Sequence, residues 1–194
     1  MSEEIADRRS EIGDRRPTDF ELRTAICDLR EPPLAHARGH QILVLGLGND
    51  ILTDDAVGLL VAREVRTRLG DTPGIAVRET TEMGLTLLDE IVDCGSLILV
   101  DAVQTGRVPP GQVHEIGPDE LPQVTATSPH FVGVGETLAL GATLGLAMPW
   151  RVRIFAIEVA DPFTLGTQLT AAVAQAVPVA VERVVKLAQA WVEK

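Results

Sequence analysis

The stretch Gln41-Ile-Leu-Val-Leu-Gly-Leu-Gly-Asn-Asp-Ile-Leu-Thr-Asp-Asp55 decides how the rest of the chain is read. Its first half is an apolar run that suits a buried strand, and its glycines mark a turn before a helix start. Strand, glycine turn and helix N-terminus form the layout of a dinucleotide site, in which backbone N–H groups receive pyrophosphate. Two features oppose that use here. Ile51 stands where the third glycine of G-x-G-x-x-G belongs, and Asp54 and Asp55 put negative charge where phosphate would sit. Carboxylates at that place repel phosphate and attract a cation, so the loop reads as one arm of a metal site.

Outward from this loop, strands and helices alternate. Strand one, Gln41 to Gly46, leads into a helix from about Asp54 to Leu69 with Val57, Leu60, Val61, Val65 and Leu69 on its apolar face. Thr53 or Asp54 is the expected N-cap. A strand from Ile75 to Glu79 precedes a helix striped by Leu87, Leu88, Ile91 and Val92, and strand three, Leu97 to Asp101, is apolar until its last residue. These units fit parallel strands with helical crossovers. Only a short segment rich in glycine and proline separates Asp101 from the strand Gln112 to Ile116, and a parallel crossover takes roughly a dozen residues or more, so strand four should run antiparallel. A loop from Gly117 to His130, a small-residue helix around Val134 to Leu146 and a strand from Val152 to Val159 follow. Pro178 suits the first turn of a closing helix in which Val181, Val184, Val185, Ala188 and Trp191 face inward. The expectation is a three-layer α/β/α domain with a mixed, mainly parallel five-stranded sheet flanked by helices.

A chain of 194 residues accommodates one such domain with a full core. Residues 41–194 carry it. Residues 1–40 differ: acidic residues and arginine crowd together with three prolines, and Leu22, Ile26 and Leu29 suit a short docking helix in an otherwise charged, partly disordered extension. A net charge of -11 and a pI near 4.8 argue against nucleic acid and anionic membranes as partners. No stretch is apolar enough for a signal peptide or a membrane span, so a cytoplasmic, soluble monomer is expected. Cys27 and Cys94 form no Cys-x-x-Cys pair and read as free thiols.

In a mainly parallel sheet, the loops at the carboxyl ends of the strands converge on one crevice. Three metal-ligand types fall at such positions: Asp55 after strand one, Asp101 at the end of strand three, and His130 in Thr127-Ser-Pro-His130 ahead of the third long helix. Two carboxylates and an imidazole leave coordination positions open on a divalent ion, as a catalytic site requires. Each residue also has a plainer role. Asp54 is most simply a helix cap, Asp55 complements a helix dipole, Asp101 caps a turn, and His130 is a hydrogen-bonded structural histidine. Their joint placement at one edge is what favours the metal. His36 and His40 have helical ligand spacing but lie in the extension, and Glu82, Glu136 and Glu158 read as exposed helix-end carboxylates. No Gly-x-Ser-x-Gly elbow is present, neither cysteine neighbours a histidine, and Ser128 beside His130 makes no triad.

The segments Ile42-Leu-Val-Leu-Gly-Leu-Gly-Asn49, Thr53-Asp-Asp-Ala-Val-Gly58, Leu97-Ile-Leu-Val-Asp-Ala102 and Ser128-Pro-His130, in this order, resemble the maturation endopeptidases of nickel-iron hydrogenases. A weaker match continues through Ile157-Glu158 and Gly166-Thr-Gln-Leu169 to the C-terminus. The resemblance implies a hydrolase that removes a C-terminal peptide from the hydrogenase large-subunit precursor, with Asp55, Asp101 and His130 binding metal. Thr80-Thr-Glu-Met-Gly84 corresponds to a cleft-lining loop that is richer in glycine in the family. The charged extension has no counterpart in the family pattern.

The resemblance also implies nickel, supplied by the substrate, although zinc or another divalent ion suits the same ligand types. In one mechanism a resident metal polarises the scissile carbonyl; in the other the three residues reach for the nickel already mounted in the precursor. The second is favoured, because three ligands alone should hold a metal weakly. A non-proteolytic, metal-dependent chaperone of the immature subunit needs the same ligands, and a nucleotide-binding module has only Gly46-x-Gly48 in its favour.

Overall fold

The computed structural model describes residues 42–82, 84–117, 120 and 132–193. Along them run β1 (Ile42–Leu47), α1 (Val57–Leu69), β2 (Ile75–Thr80), α2 (Thr86–Ile91), β3 (Ser96–Val103), β4 (Val113–Ile116), α3 (Val132–Thr143), β5 (Arg151–Glu158) and α4 (Ala171–Val192). The extension, with His36, His40 and Cys27, lies outside the described residues.

The strands form one sheet in the order β2-β1-β3-β5-β4. β2, β1, β3 and β5 are parallel, and β4 joins the edge antiparallel to β5, so the mixed sheet expected from the short β3–β4 connection is present. From β1 the chain lays β2 on one side and then returns to lay β3 on the other. Such a reversal, here at the carboxyl ends of β1 and β3, is the point at which open α/β sheets bind their ligands.

Side chains alternate between two cores. Val44, Ile98, Val100, Phe155 and Ile157 pack with Val61 and Val65 of α1 and Val181 and Val184 of α4. Leu43, Leu45, Leu97, Leu99 and Ile154 pack with Leu87 and Ile91 of α2 and Leu138 of α3. Because helices cover both faces, β1 and the upstream part of β3 are unbroken apolar runs. Each leucine so buried contributes roughly 1.5–3 kcal/mol through removal of apolar surface from water.

Several boundaries differ from the sequence reading. α1 starts at Val57, with Ala56 in the cap position and no side chain capping it, so Asp54 and Asp55 sit in the turn ahead of the helix. β3 continues past Asp101 to Val103, carried by pairing of Ala102 with Ile157 and Val103 with Glu158. α3 ends at Thr143 because Gly145 adopts φ +68°, and Leu146 N and Gly145 N donate to the carbonyls of Gly141 and Ala142. This pattern closes a helix on a left-handed glycine. Pro178 lies inside α4 rather than in its first turn. It is exposed, so the Ala174 carbonyl, which a residue with an N–H at position 178 would bond, is on the solvent side of the helix.

Candidate active site

Glycines bring the two acidic segments together. A side-chain carbon at Gly48, where φ is +150°, would fall on the Asp55 carbonyl oxygen, so the turn carrying Asp55 folds back over the end of β1. Gly58, in the first turn of α1, packs against the Leu47 carbonyl, and a Cβ there would lie 2.5 Å from the Val100 oxygen. Gly46 meets the Gly58 carbonyl in the same manner, with Ala62 Cβ 2.7 Å from where its own Cβ would be. These positions permit close approach of helix and sheet as well as turning the chain. Asp55, just before α1, and Asp101, just after Val100, therefore share one corner of the sheet.

Both carboxylates are fully buried, at 0% exposure. By alternation along β3, Asp101 faces the same side as Leu97, Leu99 and Val103, the side covered by α2 and α3. Its Oδ1 accepts the Ala102 N–H at 2.8 Å. The strand runs on to Val103, so Asp101 lies inside a buried strand rather than at its end. His130 lies outside the described residues, just ahead of α3 in sequence. Among the described residues, no group of three histidine, cysteine or acidic side chains forms a metal site.

Asp54 is not the helix cap. Its buried carboxylate accepts from Ala160 N at 3.1 Å, Asp161 N at 2.9 Å, Thr170 N at 2.7 Å and Thr170 Oγ1 at 3.0 Å. All four donors belong to the connection between β5 and α4. The backbone follows the same seam: Asp54 N donates to Asp161 O, Thr53 N to Thr164 O, and Gly166 N to Ile51 O, around a bridge between Leu52 and Leu165. Asp161 in turn folds its own loop, and bonds from Thr164 and then Phe163 hold its carboxyl below the ordinary carboxylate range.

Glu158 corrects a second expectation. It ends β5 in a buried position, 1% exposed, and accepts from Thr105 N, Gly106 N and Thr105 Oγ1 at 2.8–2.9 Å. Three loop donors explain why a carboxylate is stable there, and it shapes the connection after β3. Glu82 and Glu136 are exposed, as expected. Thr80, at the end of β2, is buried and accepts the Glu82 N–H at 3.1 Å, while Thr137 of α3 reaches the Gly84 carbonyl at 3.1 Å. This contact ties the β2–α2 loop to α3.

On the outer side of α1, Arg63 joins Asp50 at 2.8 Å and Glu79 at 2.5 Å. Donation to the Asp50 carboxylate, and then to Glu79, raises the Arg63 guanidinium above its ordinary value, against the opposing effect of burial. This exposed network holds the start of the Asp55 loop against α1 and β2, and such pairs contribute about 0–1 kcal/mol each. The sequence separates Asp54 from Asp55 in role but does not reveal the tie from Asp54 to Thr170, for which the place of Thr170 directly before a helical run is the one available signal.

A family model described as hydrogenase maturation protease matches residues 60–187, a span that includes Asp101 and begins soon after Asp55. The hydrogenase expression/formation protein HupD of Rhizobium leguminosarum bv. viciae is 27% identical over 162 residues, 82% of this chain and 79% of its own length. The hydrogenase 2 maturation protease of Escherichia coli (strain K12) is 29% identical over 101 residues, 51% of this chain and 62% of that protein. Among solved structures, the hydrogenase maturating endopeptidase HybD from E. coli aligns with a TM-score of 0.65 at 26% identity, covering 77% of this chain and 92% of that one. With most of the domain matched in sequence and the same sheet and helices recurring in structure, the chain belongs to the hydrogenase maturation protease family.

Proposed function

We propose that this chain is the endopeptidase that removes the C-terminal extension of a nickel-iron hydrogenase large-subunit precursor after nickel insertion, with Asp55, Asp101 and His130 meeting the metal. The observation that carries the proposal is the burial of Asp55 and Asp101 at one corner of the sheet, in a member of a protease family. Buried carboxyl side chains at such a corner supply oxygen donors of the kind that divalent cations take. Oxygen donors with one imidazole suit nickel, and zinc or another divalent ion as a substitute. Nickel here is cargo of the precursor. Bound by these residues, it would lend Lewis acidity to the scissile carbonyl.

The chain's own residues hold the precursor's metal and with it the adjoining peptide, so that cleavage depends on a correctly loaded substrate. Hydrolysis by water suits the residues available, since Cys94 is buried and its thiol is pushed up to about 12 by desolvation. All three proposed ligands come from one chain, which supports action as a monomer. We place the activity in the cytoplasm, acting on the immature subunit.

Metal-stripped enzyme should cleave nickel-loaded precursor and leave nickel-free precursor intact, as read by the mass of the large subunit. Asp55→Ala, Asp101→Ala and His130→Ala should each lower processing by about 10²-fold or more while retaining the circular-dichroism spectrum of the parent. Cleavage of nickel-free precursor by zinc-loaded enzyme would overturn recognition of the substrate's nickel. Normal processing by two of the three variants would overturn the site, and an unchanged precursor mass with stable complex formation would identify a chaperone.

A further inference from the structure

We propose that Asp54 is a positioning residue for Asp55, acting as a clamp between the Asp55 turn and the β5–α4 connection. This proposal rests on the assignment of Asp55 to the site.

Asp55 precedes the first residue of α1, so the helix ladder does not fix it. Its neighbour ties the turn to the β5–α4 connection. Asp54 Oδ2 accepts from Ala160 N, Asp161 N and Thr170 Oγ1, and Oδ1 accepts from Thr170 N at 2.7 Å. Donors on both oxygens leave the carboxylate one orientation. The group is 0% exposed, so these bonds act in a low-dielectric setting where an ionised acceptor binds its donors strongly. Thr170 is extended and immediately precedes α4, and α4 packs against the same core face as α1. The clamp therefore fastens the Asp55 turn to a long helix that is itself part of the core. Gly48 closes the turn from the opposite side, against the Asp55 carbonyl.

The geometry makes asparagine a demanding replacement. Each Asp54 oxygen accepts at least one N–H, so an amide in either orientation sets its NH2 against a backbone donor. The variant Asp54→Asn removes the charge and one acceptor without changing the volume. Thr170→Val is milder, since it removes the hydroxyl donor and keeps the backbone one.

The test measures steady-state cleavage of nickel-loaded large-subunit precursor, per folded molecule, by the full chain and four variants. Asp54→Asn should lower kcat by about tenfold or more with KM within about twofold, because misplacing a reacting group costs turnover more than substrate binding. Thr170→Val should lower kcat in the same direction by less. Val184→Ala, in the α1–α4 core away from this corner, should lower the melting temperature and leave kcat per folded molecule unchanged. Asp55→Ala tests the underlying assignment separately. If Asp55→Ala abolishes cleavage while Asp54→Asn and Thr170→Val retain the parent kcat, the clamp is purely structural and the proposal fails. If Asp54→Asn does not fold, an unchanged kcat in Thr170→Val alone overturns it. Full activity of Asp55→Ala removes the assignment on which the proposal rests.

Discussion

A methyl group added at Gly58 would run into the carbonyl oxygens of Leu47 and Val100, so the corner that holds Asp55 and Asp101 depends on a hydrogen atom at that position. Residue chemistry of this kind is only half visible in a sequence. The apolar run and the acidic pair announced a strand ending in charge, and the placement of Asp55 after β1 and of Asp101 near the end of β3 was legible, their role at a site being the proposal made above. A structural role for Asp54 was legible, but its task was not, since the donors that occupy it come from residues 160–170, more than a hundred positions away. Cys94 supports a prediction at the same scale. Desolvation raises its thiol from 9.0 to about 12, and its Sγ–H donates to the Ile91 carbonyl. A group with a raised folded pKa stabilises the fold below its unfolded value and loses that contribution as pH rises, so stability should fall across the window from 9.0 to about 12. In a Cys27→Ser background at pH 8, a thiol reagent should modify Cys94 only as fast as the protein opens. Immediate stoichiometric labelling of the native state would contradict its burial.

At the scale of elements, periodicity located every described helix and strand, and the ends were set by contacts it does not encode. α4 shows the reason. Its inward positions Val181, Val184 and Ala188 are buried as read from their spacing, while Val185 and Trp191 pack at the margin. The start was misplaced because Pro178 imitates a first-turn proline. The helix begins instead at Ala171, after Thr170, whose N–H and hydroxyl are held by Asp54. Pro178 consequently interrupts the ladder on the exposed face. Pro178→Ala restores an N–H donor for the Ala174 carbonyl and removes no buried contact. Against a propensity difference of about 3 kcal/mol stands the greater freedom of the unfolded chain, about 0.4–1 kcal/mol, together with relaxation the helix has already made. A net gain of about 1–2 kcal/mol should raise the melting temperature by roughly 2–8 °C, read by calorimetry with cleavage activity unchanged. A lower melting temperature would show that the proline is required for the helix to fit its neighbours.

At the scale of the whole molecule, the sheet order sets where the proposed site can form before any side chain is considered. β2 and β3 lie on opposite sides of β1, the arrangement at which open α/β sheets bind ligands, and the glycines along β1 and α1 let the acidic segments converge there. Among the described residues, both cores draw on positions from Ile42 to Trp191, and β1 is covered by helices on its two faces. Among the described residues no helix is long and apolar enough to cross a membrane. The expectation that residues 41–194 fold without the charged residues 1–40 separates stability from recognition experimentally. A fragment spanning residues 41–194 should melt within about 3 °C of the full chain, a difference below about 1–1.5 kcal/mol for a domain of this size. If the extension docks the precursor, the same fragment should show a raised KM with kcat retained, since removing binding made equally in ground and transition states leaves turnover unchanged. Unchanged KM and kcat would assign the extension no part in cleavage. A large fall in melting temperature would instead mean that residues before β1 complete the core, and the domain boundary at Gln41 would have to move toward the N-terminus.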